Sequence, residues 1–306
     1  MYDIIIIGAG PAGLTAAIYA CRASKKVLVL EATTYGGQII NTLDIDNYPV
    51  EPHISGFDFA TKLYNQATEM GAEVVFEKAV KINDKGDFKE VITDEKTYSG
   101  KAVIIATGSI NRKLGLENEE ELVGKGVSYC ATCDGAFYKN KTVAVVGGGN
   151  TALEDALYLA DLAQKVYLIH RRDEFRGERE TVKALEGRDN VEFALNSNVT
   201  KIIADKKVDA IEVTNNSGEA KTITVDGLFV AVGRIPENNE FKDLIKLDES
   251  GYALSGEDCT TDTAGIFVAG DGRAKSVRQL VTATSDGAIA ATAAIKYLNG
   301  GYYANH

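Results

Sequence analysis

No stretch of this 306-residue chain approaches the roughly 20 consecutive apolar residues that cross a bilayer, so no membrane association is expected. Its opening, Met1-Tyr2-Asp3-Ile4-Ile5-Ile6-Ile7-Gly8, has no basic segment and no long apolar run. A secretory signal is therefore not expected, and the reading is cytoplasmic, where structural disulfides are rare. Prolines number only four, and no low-complexity segment occurs, which excludes long linkers and tails. The net charge of −11 is not gathered into acidic blocks, and it argues against a general nucleic-acid binder, which needs a basic face. Histidines are few and scattered, at His53, His170 and His306, and the four cysteines include a single CxxC pair. Zinc would need two further ligands beside that pair, so no metal site is expected.

What is present is a globular composition, 45% hydrophobic and 25% charged, of a length suited to about two domains. One internal repeat organises it. Tyr2–Ile7 reads as a buried parallel strand, followed by Gly8-Ala9-Gly10-Pro11-Ala12-Gly13 and then by helical composition from Leu14 to Ala23. Val27–Leu30 reads as a second strand and ends at Glu31. This is the βαβ dinucleotide fingerprint in its required context. Gly8 permits the tight turn, Gly10 admits a pyrophosphate, and Gly13 lets helix and strand pack. Pro11 suits a first helical turn. Glu31, 23 residues after Gly8, can accept hydrogen bonds from an adenosine ribose.

The second copy runs through a strand at Thr142–Val146, the turn Gly147-Gly148-Gly149-Asn150-Thr151-Ala152, a helix over Leu153–Leu162 and a strand at Lys165–Ile169. Counting the same interval from Gly147 ends on His170, followed by Arg171, Arg172 and Arg176. A carboxylate there would repel a ribose 2′-phosphate, whereas guanidinium groups bind one through bidentate, charge-assisted hydrogen bonds. The first turn therefore suits a nucleotide with a free 2′-hydroxyl, such as FAD, and the second suits NADP.

Cys130-Ala131-Thr132-Cys133 lies just before the second turn. In a reducing compartment such a pair reads as a redox dithiol. Asp134 and Gly135 follow, and Cys133 is expected at a short helix start, a position that favours a thiolate.

Together the first fingerprint, the run Val127-Ser128-Tyr129-Cys130-Ala131-Thr132-Cys133-Asp134-Gly135, and the Gly147 and His170-Arg171-Arg172 segments resemble low-molecular-weight thioredoxin reductases. The resemblance covers nearly the whole chain. Gly36-Gly37-Gln38, Asn47-Tyr48-Pro49, Ala106-Thr107-Gly108, Val232-Gly233-Arg234, Ala269-Gly270-Asp271 and Arg278-Gln279 also match that family's motifs in order. Two positions depart from it: Val50 stands where glycine commonly follows Asn-Tyr-Pro, and Gly272 where a larger residue is usual.

The resemblance implies an α/β fold of two Rossmann-like domains in three ββα layers, the NADPH domain inserted into the FAD domain. Residues 1–112 and 240–306 would hold tightly bound FAD, and 113–239 would bind NADPH and carry the CxxC. Asp271 would bond the flavin ribityl chain, and the helix start at Arg278-Gln279 would face the flavin pyrimidine, where helix polarity favours reduced flavin. Gly36, Gly37, Gln38, Asn47, Ala106, Thr107, Gly108, Gly149, Asn150, Thr151, Gly233 and Arg234 complete the expected nucleotide contacts. Cys133 would be the sulfur nearest the flavin, Cys130 the one that attacks thioredoxin, and Asp134 their acid/base partner. A homodimer is implied, and so is rotation of one domain against the other on the two connecting loops. Alternatives remain a ferredoxin-dependent sister reductase, a small-molecule dithiol oxidase, and a redox sensor that holds nucleotide without turnover. The intact second turn and its arginines count against the first two.

Overall fold

The computed structural model describes residues 1–42 and 44–300, so His306 lies outside the described residues. The chain divides into two compact units, one formed by Met1–Ile110 together with the chain from Ile235 onward, the other by Asn111–Arg234.

The first unit opens with β1 (Tyr2–Ile7), α1 (Pro11–Arg22) and β2 (Val27–Leu30), then α2 (Gly56–Glu69), β3 (Glu73–Val75), β4 (Ala79–Asp84), β5 (Lys89–Thr93), β6 (Thr97–Ile105) and β7 (Ser109–Asn111). β3, β2, β1 and β6 lie side by side and parallel, and β5 and β4 continue the sheet antiparallel. The run of isoleucines in β1 is apolar throughout because both faces of the strand are covered. Ile4 and Ile6 pack with Leu14, Ala16 and Ala17 of α1, while Ile5 and Ile7 pack with Ile82, Val91 and Phe241 on the other side. Burying each such side chain contributes about 1.5–3 kcal/mol.

The second unit holds β8 (Val127–Ser128), α3 (Ala131–Asp134), β9 (Thr142–Val146), α4 (Asn150–Ala160), β10 (Lys165–Ile169), α5 (Arg179–Glu186) and β11 (Val191–Ala194). After these come β12 (Ser197–Ala204), β13 (Val208–Asn215), β14 (Ala220–Thr224) and β15 (Gly227–Val230). Its parallel sheet runs β11-β10-β9-β15-β8, with β12-β13-β14 as a separate antiparallel sheet. Alternation again separates the layers: Val143 and Val145 meet α4 through Leu153 and Ala156, and Ala144 and Val146 meet Val199, Ile211 and Ile223 of the antiparallel sheet. Each unit is thus a three-layer α/β body of the Rossmann kind.

The chain returns to the first unit through β16 (Arg234–Pro236), which pairs with β7, and ends its described part with β17 (Ile266–Val268) and α6 (Leu280–Leu298). β17 joins β6 in parallel, which seats the Gly270-Asp271 turn at the same sheet end as Gly8. α6 lies hard against α1, since a Cβ on Gly287 would fall 2.2 Å from the Ala12 carbonyl oxygen. No helix among the described residues is long and apolar enough to cross a membrane.

The structure explains one of the two departures from the family pattern, Gly272, and shows the other, Val50, to be strained. Val50 adopts φ +75° and is 96% exposed, so a β-branched residue occupies a left-handed conformation without packing in return. At Gly272 an added Cβ would sit 3.1 Å from Asn238 Oδ1 and 3.2 Å from the Gly108 carbonyl oxygen, leaving little room for a larger residue. Val50→Gly should therefore stabilise the protein by about 0.5–1 kcal/mol, relief of the left-handed strain being partly offset by glycine entropy. A higher denaturation midpoint checks this; a lower one would show that Val50 makes contacts that outweigh its backbone.

Candidate active site

In the first unit the strand-to-helix turn forms because two side chains are missing. Gly8 has φ +107°, and a Cβ there would lie 2.4 Å from the Ala106 carbonyl oxygen; one on Gly13 would lie 1.8 Å from the carbonyl oxygen of Gly8. Gly10 is the N-cap of α1, provides no side-chain cap, and has nothing within 4 Å of where its Cβ would be. The start of α1 thus carries no side-chain cap and has open space beside Gly10, at the positive end of the helix, which suits a pyrophosphate. By contrast α2 is closed by Ser55, whose Oγ accepts from the Asp58 N–H at 3.0 Å.

Glu31 stands beside this turn. Its carboxylate accepts the Ala9 N–H at 2.8 Å and the Thr33 N–H at 3.0 Å. Gly36 donates its N–H to the Ala9 carbonyl at 2.8 Å, and Gly37 opens the short 3-10 helix that carries Gln38. Pro11 occupies the first helical turn, and Ala12 faces Gly270, whose hypothetical Cβ would be 2.9 Å from the Ala12 Cβ. Asn47 donates to Gln279 Oε1 at 3.3 Å, and Arg278 Nε to the Asp271 carbonyl at 3.4 Å. Ala106, Thr107 and Gly108 follow β6 next to Gly8. Sequence reasoning missed Asn238, fully buried, which accepts from Thr107 Oγ1 at 3.2 Å and donates to the Gly251 and Gly272 carbonyls at 3.0 and 2.8 Å. It ties the Thr107-Gly108 corner to the segment after Asp271. No local pattern marks such an asparagine.

The second unit repeats the turn. A Cβ on Gly147 would lie 2.3 Å from the Ala231 carbonyl oxygen, Gly149 is the uncapped N-cap of α4, and nothing lies within 4 Å of its Cβ position. Asn150 Oδ1 accepts the Glu178 N–H at 2.8 Å, which folds the arginine-bearing segment back against the turn, and Thr151 beside it is exposed. His170 is only 5% exposed, stacked on Phe175 with ring centroids 5.3 Å apart and pressed against Gly148. Burial and the neighbouring Arg176, Arg171 and Arg172 hold it below the ordinary histidine range, so it stays neutral near pH 7. The three arginines are exposed. His170 backs the turn, and the guanidinium groups face solvent beside it. Gly233, at φ +108°, and Arg234 are the last two residues of the unit.

Cys130 and Cys133 form a disulfide with Cα atoms 5.3 Å apart, both half-buried. Cys130 takes the N-cap of α3 and Cys133 lies within its single turn. Cys130 Sγ is 3.4 Å from Thr132 Oγ1. Buried Ser128, not singled out in the sequence, donates its hydroxyl to Asp134 Oδ2 at 2.6 Å and accepts the Cys130 N–H at 3.1 Å. One hydroxyl therefore aims the carboxylate and fixes the backbone of the first cysteine. Upstream, the buried Glu119 carboxylate gathers the N–H groups of Leu114, Gly115 and Leu116 and the Tyr129 hydroxyl, pinning the approach to the pair. Burial, then Asp134, pushes the Tyr138 hydroxyl up to about 12, so it remains protonated. The other cysteines stand apart: Cys21 is half-buried in α1 and Cys259 fully buried, its thiol pushed up to about 12 by burial.

Two dinucleotide-type turns and one CxxC disulfide define the class, a pyridine-nucleotide-linked disulfide oxidoreductase. Residues 2–287 match the family described as "Pyridine nucleotide-disulphide oxidoreductase". A thioredoxin reductase of Listeria innocua is 45% identical over 300 residues, covering 97% of this chain and 94% of the relative. Among solved structures, that of thioredoxin reductase from Streptococcus pyogenes matches with a TM-score of 0.94 at 41% identity, covering 98% of this chain and 99% of the other. Thioredoxin reductase from Giardia duodenalis matches with a TM-score of 0.92 at 37% identity, covering 97% and 99%. The chain belongs to the pyridine nucleotide-disulphide oxidoreductase family, in its bacterial-type thioredoxin reductase branch.

Gly10→Ala separates ligand fit from folding. The methyl group meets no protein atom, so the apo-protein should keep its denaturation midpoint while FAD affinity falls at least about tenfold. Equal FAD affinity would show that the pyrophosphate does not approach Gly10.

Proposed function

We propose that this chain reduces the disulfide of thioredoxin with electrons from NADPH, using tightly bound FAD as the relay. The observation that carries the reading is the placement of the Cys130–Cys133 disulfide in the same unit as the arginine-flanked turn, while the acid-flanked turn lies in the other unit. Glu31 suits a ribose with a free 2′-hydroxyl, and Arg171, Arg172 and Arg176 suit a 2′-phosphate. On this reading the first unit holds FAD through Gly8, Gly10, Gly13, Glu31, Asp271, Arg278 and Gln279. The inserted unit holds NADPH through Gly147, Gly149, Asn150, Thr151 and the three arginines.

Bound FAD supplies what a side chain cannot, conversion of a hydride into electrons that a disulfide accepts. The chain's own residues do the rest. Two electrons break the Cys130–Cys133 bond and leave a Cys130 thiolate and a Cys133 thiol, the latter protonated from solvent through the Asp134 carboxylate. The Cys130 thiolate attacks a sulfur of the thioredoxin disulfide, giving a mixed disulfide and releasing one thioredoxin thiolate. Cys133 then attacks Cys130, re-forming the internal bond and freeing the second thiol. Ser128 keeps the Asp134 carboxylate at hand through these steps, since its hydroxyl already points there at 2.6 Å. The proposed working form is a homodimer, which rests on the family resemblance, in the cytoplasm, which rests on the lack of a signal-like segment.

In Cys130→Ser, NADPH should still bleach the bound flavin while thioredoxin reduction is lost. Retained thioredoxin reduction would contradict the assignment of Cys130 as the attacking sulfur. Arg171→Gln with Arg172→Gln should raise the KM for NADPH at least about tenfold and leave NADH use little changed, because each lost charge-assisted bond to the 2′-phosphate is worth about 1.5–3 kcal/mol. An equal loss with both nucleotides would place the 2′-phosphate elsewhere.

A further inference from the structure

α6 is rich in alanine, yet at its seventh position it buries a carboxylate, Asp286, only 5% exposed. Oδ2 accepts the Gly270 N–H at 3.0 Å, Arg273 Nε at 3.2 Å and Lys275 Nζ at 3.0 Å, and Oδ1 accepts Arg273 Nη2 at 3.1 Å. Every one of these donors lies in the stretch from Gly270 to Gln279, which also carries Asp271, Arg278 and Gln279. Arg273, itself 4% exposed, extends the network by donating Nη1 to the Ser255 carbonyl at 3.1 Å. Its own carbonyl accepts Arg278 Nη2 at 3.2 Å, while the Arg278 guanidinium lies 3.9 Å over the Tyr252 ring. Lys275 reaches Asp271 Oδ1 at 3.6 Å.

For folding alone, such an arrangement is a poor choice. Desolvating three charges costs about as much as their pairing returns, and well-packed apolar side chains would serve as well or better. What the charges supply and apolar contacts do not is direction: a bidentate fork and a backbone N–H converge on one carboxylate and leave the loop a single path. Gly270 at φ +81° makes the sharp turn, and Asp286 holds its N–H.

We propose that Asp286 is a positioning residue for flavin, acting through Gly270, Arg273 and Lys275 to hold Asp271, Arg278 and Gln279 in their binding geometry. This rests on the reading that the first unit binds FAD. The test measures FAD dissociation from the purified full chain by flavin fluorescence, with the denaturation midpoint of the apo-protein measured in parallel. Asp286→Asn keeps the volume and removes the charge. It should release FAD at least about tenfold more readily, the effect of one lost charge-assisted hydrogen bond.

The pair Asp286→Leu with Arg273→Met replaces the buried ion pair by apolar groups and leaves Lys275 to Asp271, 3.6 Å away, so folding survives even where Asp286→Asn does not. It should hold an apo midpoint near the parent's yet show the same weakened FAD and an altered visible band of the residual bound flavin. FAD affinity equal to the parent's in either folded variant would overturn the inference and leave the FAD reading intact. A parent protein that binds no FAD would overturn both.

Discussion

The constraint on which both units depend is steric: a strand must end, turn and become a helix while a neighbouring strand's carbonyl sits where a side chain would go. At Gly8 that carbonyl belongs to Ala106 and at Gly147 to Ala231, each within 2.5 Å of the missing Cβ. Because the turn is so tight, the helix begins on an N-cap without a side chain, at Gly10 and at Gly149, and no side chain caps it. The same uncapped helix start is thereby built twice in one chain. What distinguishes the two copies is the residue at the end of the second strand, a carboxylate in one and a buried neutral imidazole trailed by arginines in the other.

Positioning in this molecule is done by polar residues that touch several partners at once. Ser128 joins the Asp134 carboxylate to the Cys130 backbone, Asn238 joins Thr107 to Gly272, Glu119 gathers three N–H groups and a tyrosine, and Asp286 gathers a loop. Each is buried with its hydrogen-bonding capacity in use, the condition under which a buried polar group rigidifies its surroundings. The two sulfurs are half-buried and the three arginines exposed.

Those properties also explain what the sequence revealed. Strands at Val27–Leu30, Thr142–Val146 and Lys165–Ile169 were legible to the residue, since short apolar runs between turn signals have one reading in a parallel sheet. Both fingerprint helices begin about a turn earlier than their composition suggests, at Pro11 and Asn150, because Pro11-Ala12-Gly13 and Asn150-Thr151-Ala152 belong to the turn motif yet already form the first helical turn. The CxxC, the glycine turns, Glu31 and the arginines are local patterns and could be read as such. Asn238 and Asp286 could not, because their partners lie as far as 131 and 16 residues away, and Ser128, close to its partners, carries no periodic signal as a lone serine. Val50 shows the converse: its departure from the family glycine was visible at once, and only the backbone angle gives it meaning.

Electron flow in a fixed order, from a 2′-phosphorylated nicotinamide through flavin to the Cys130–Cys133 pair, is the central claim, and an anaerobic absorption titration of the purified protein tests it most directly. The account predicts a yellow protein whose visible band is bleached faster by NADPH than by NADH and restored on adding oxidised thioredoxin. A colourless protein that cannot be loaded with FAD, or a bleached flavin that oxidised thioredoxin leaves bleached, would contradict it.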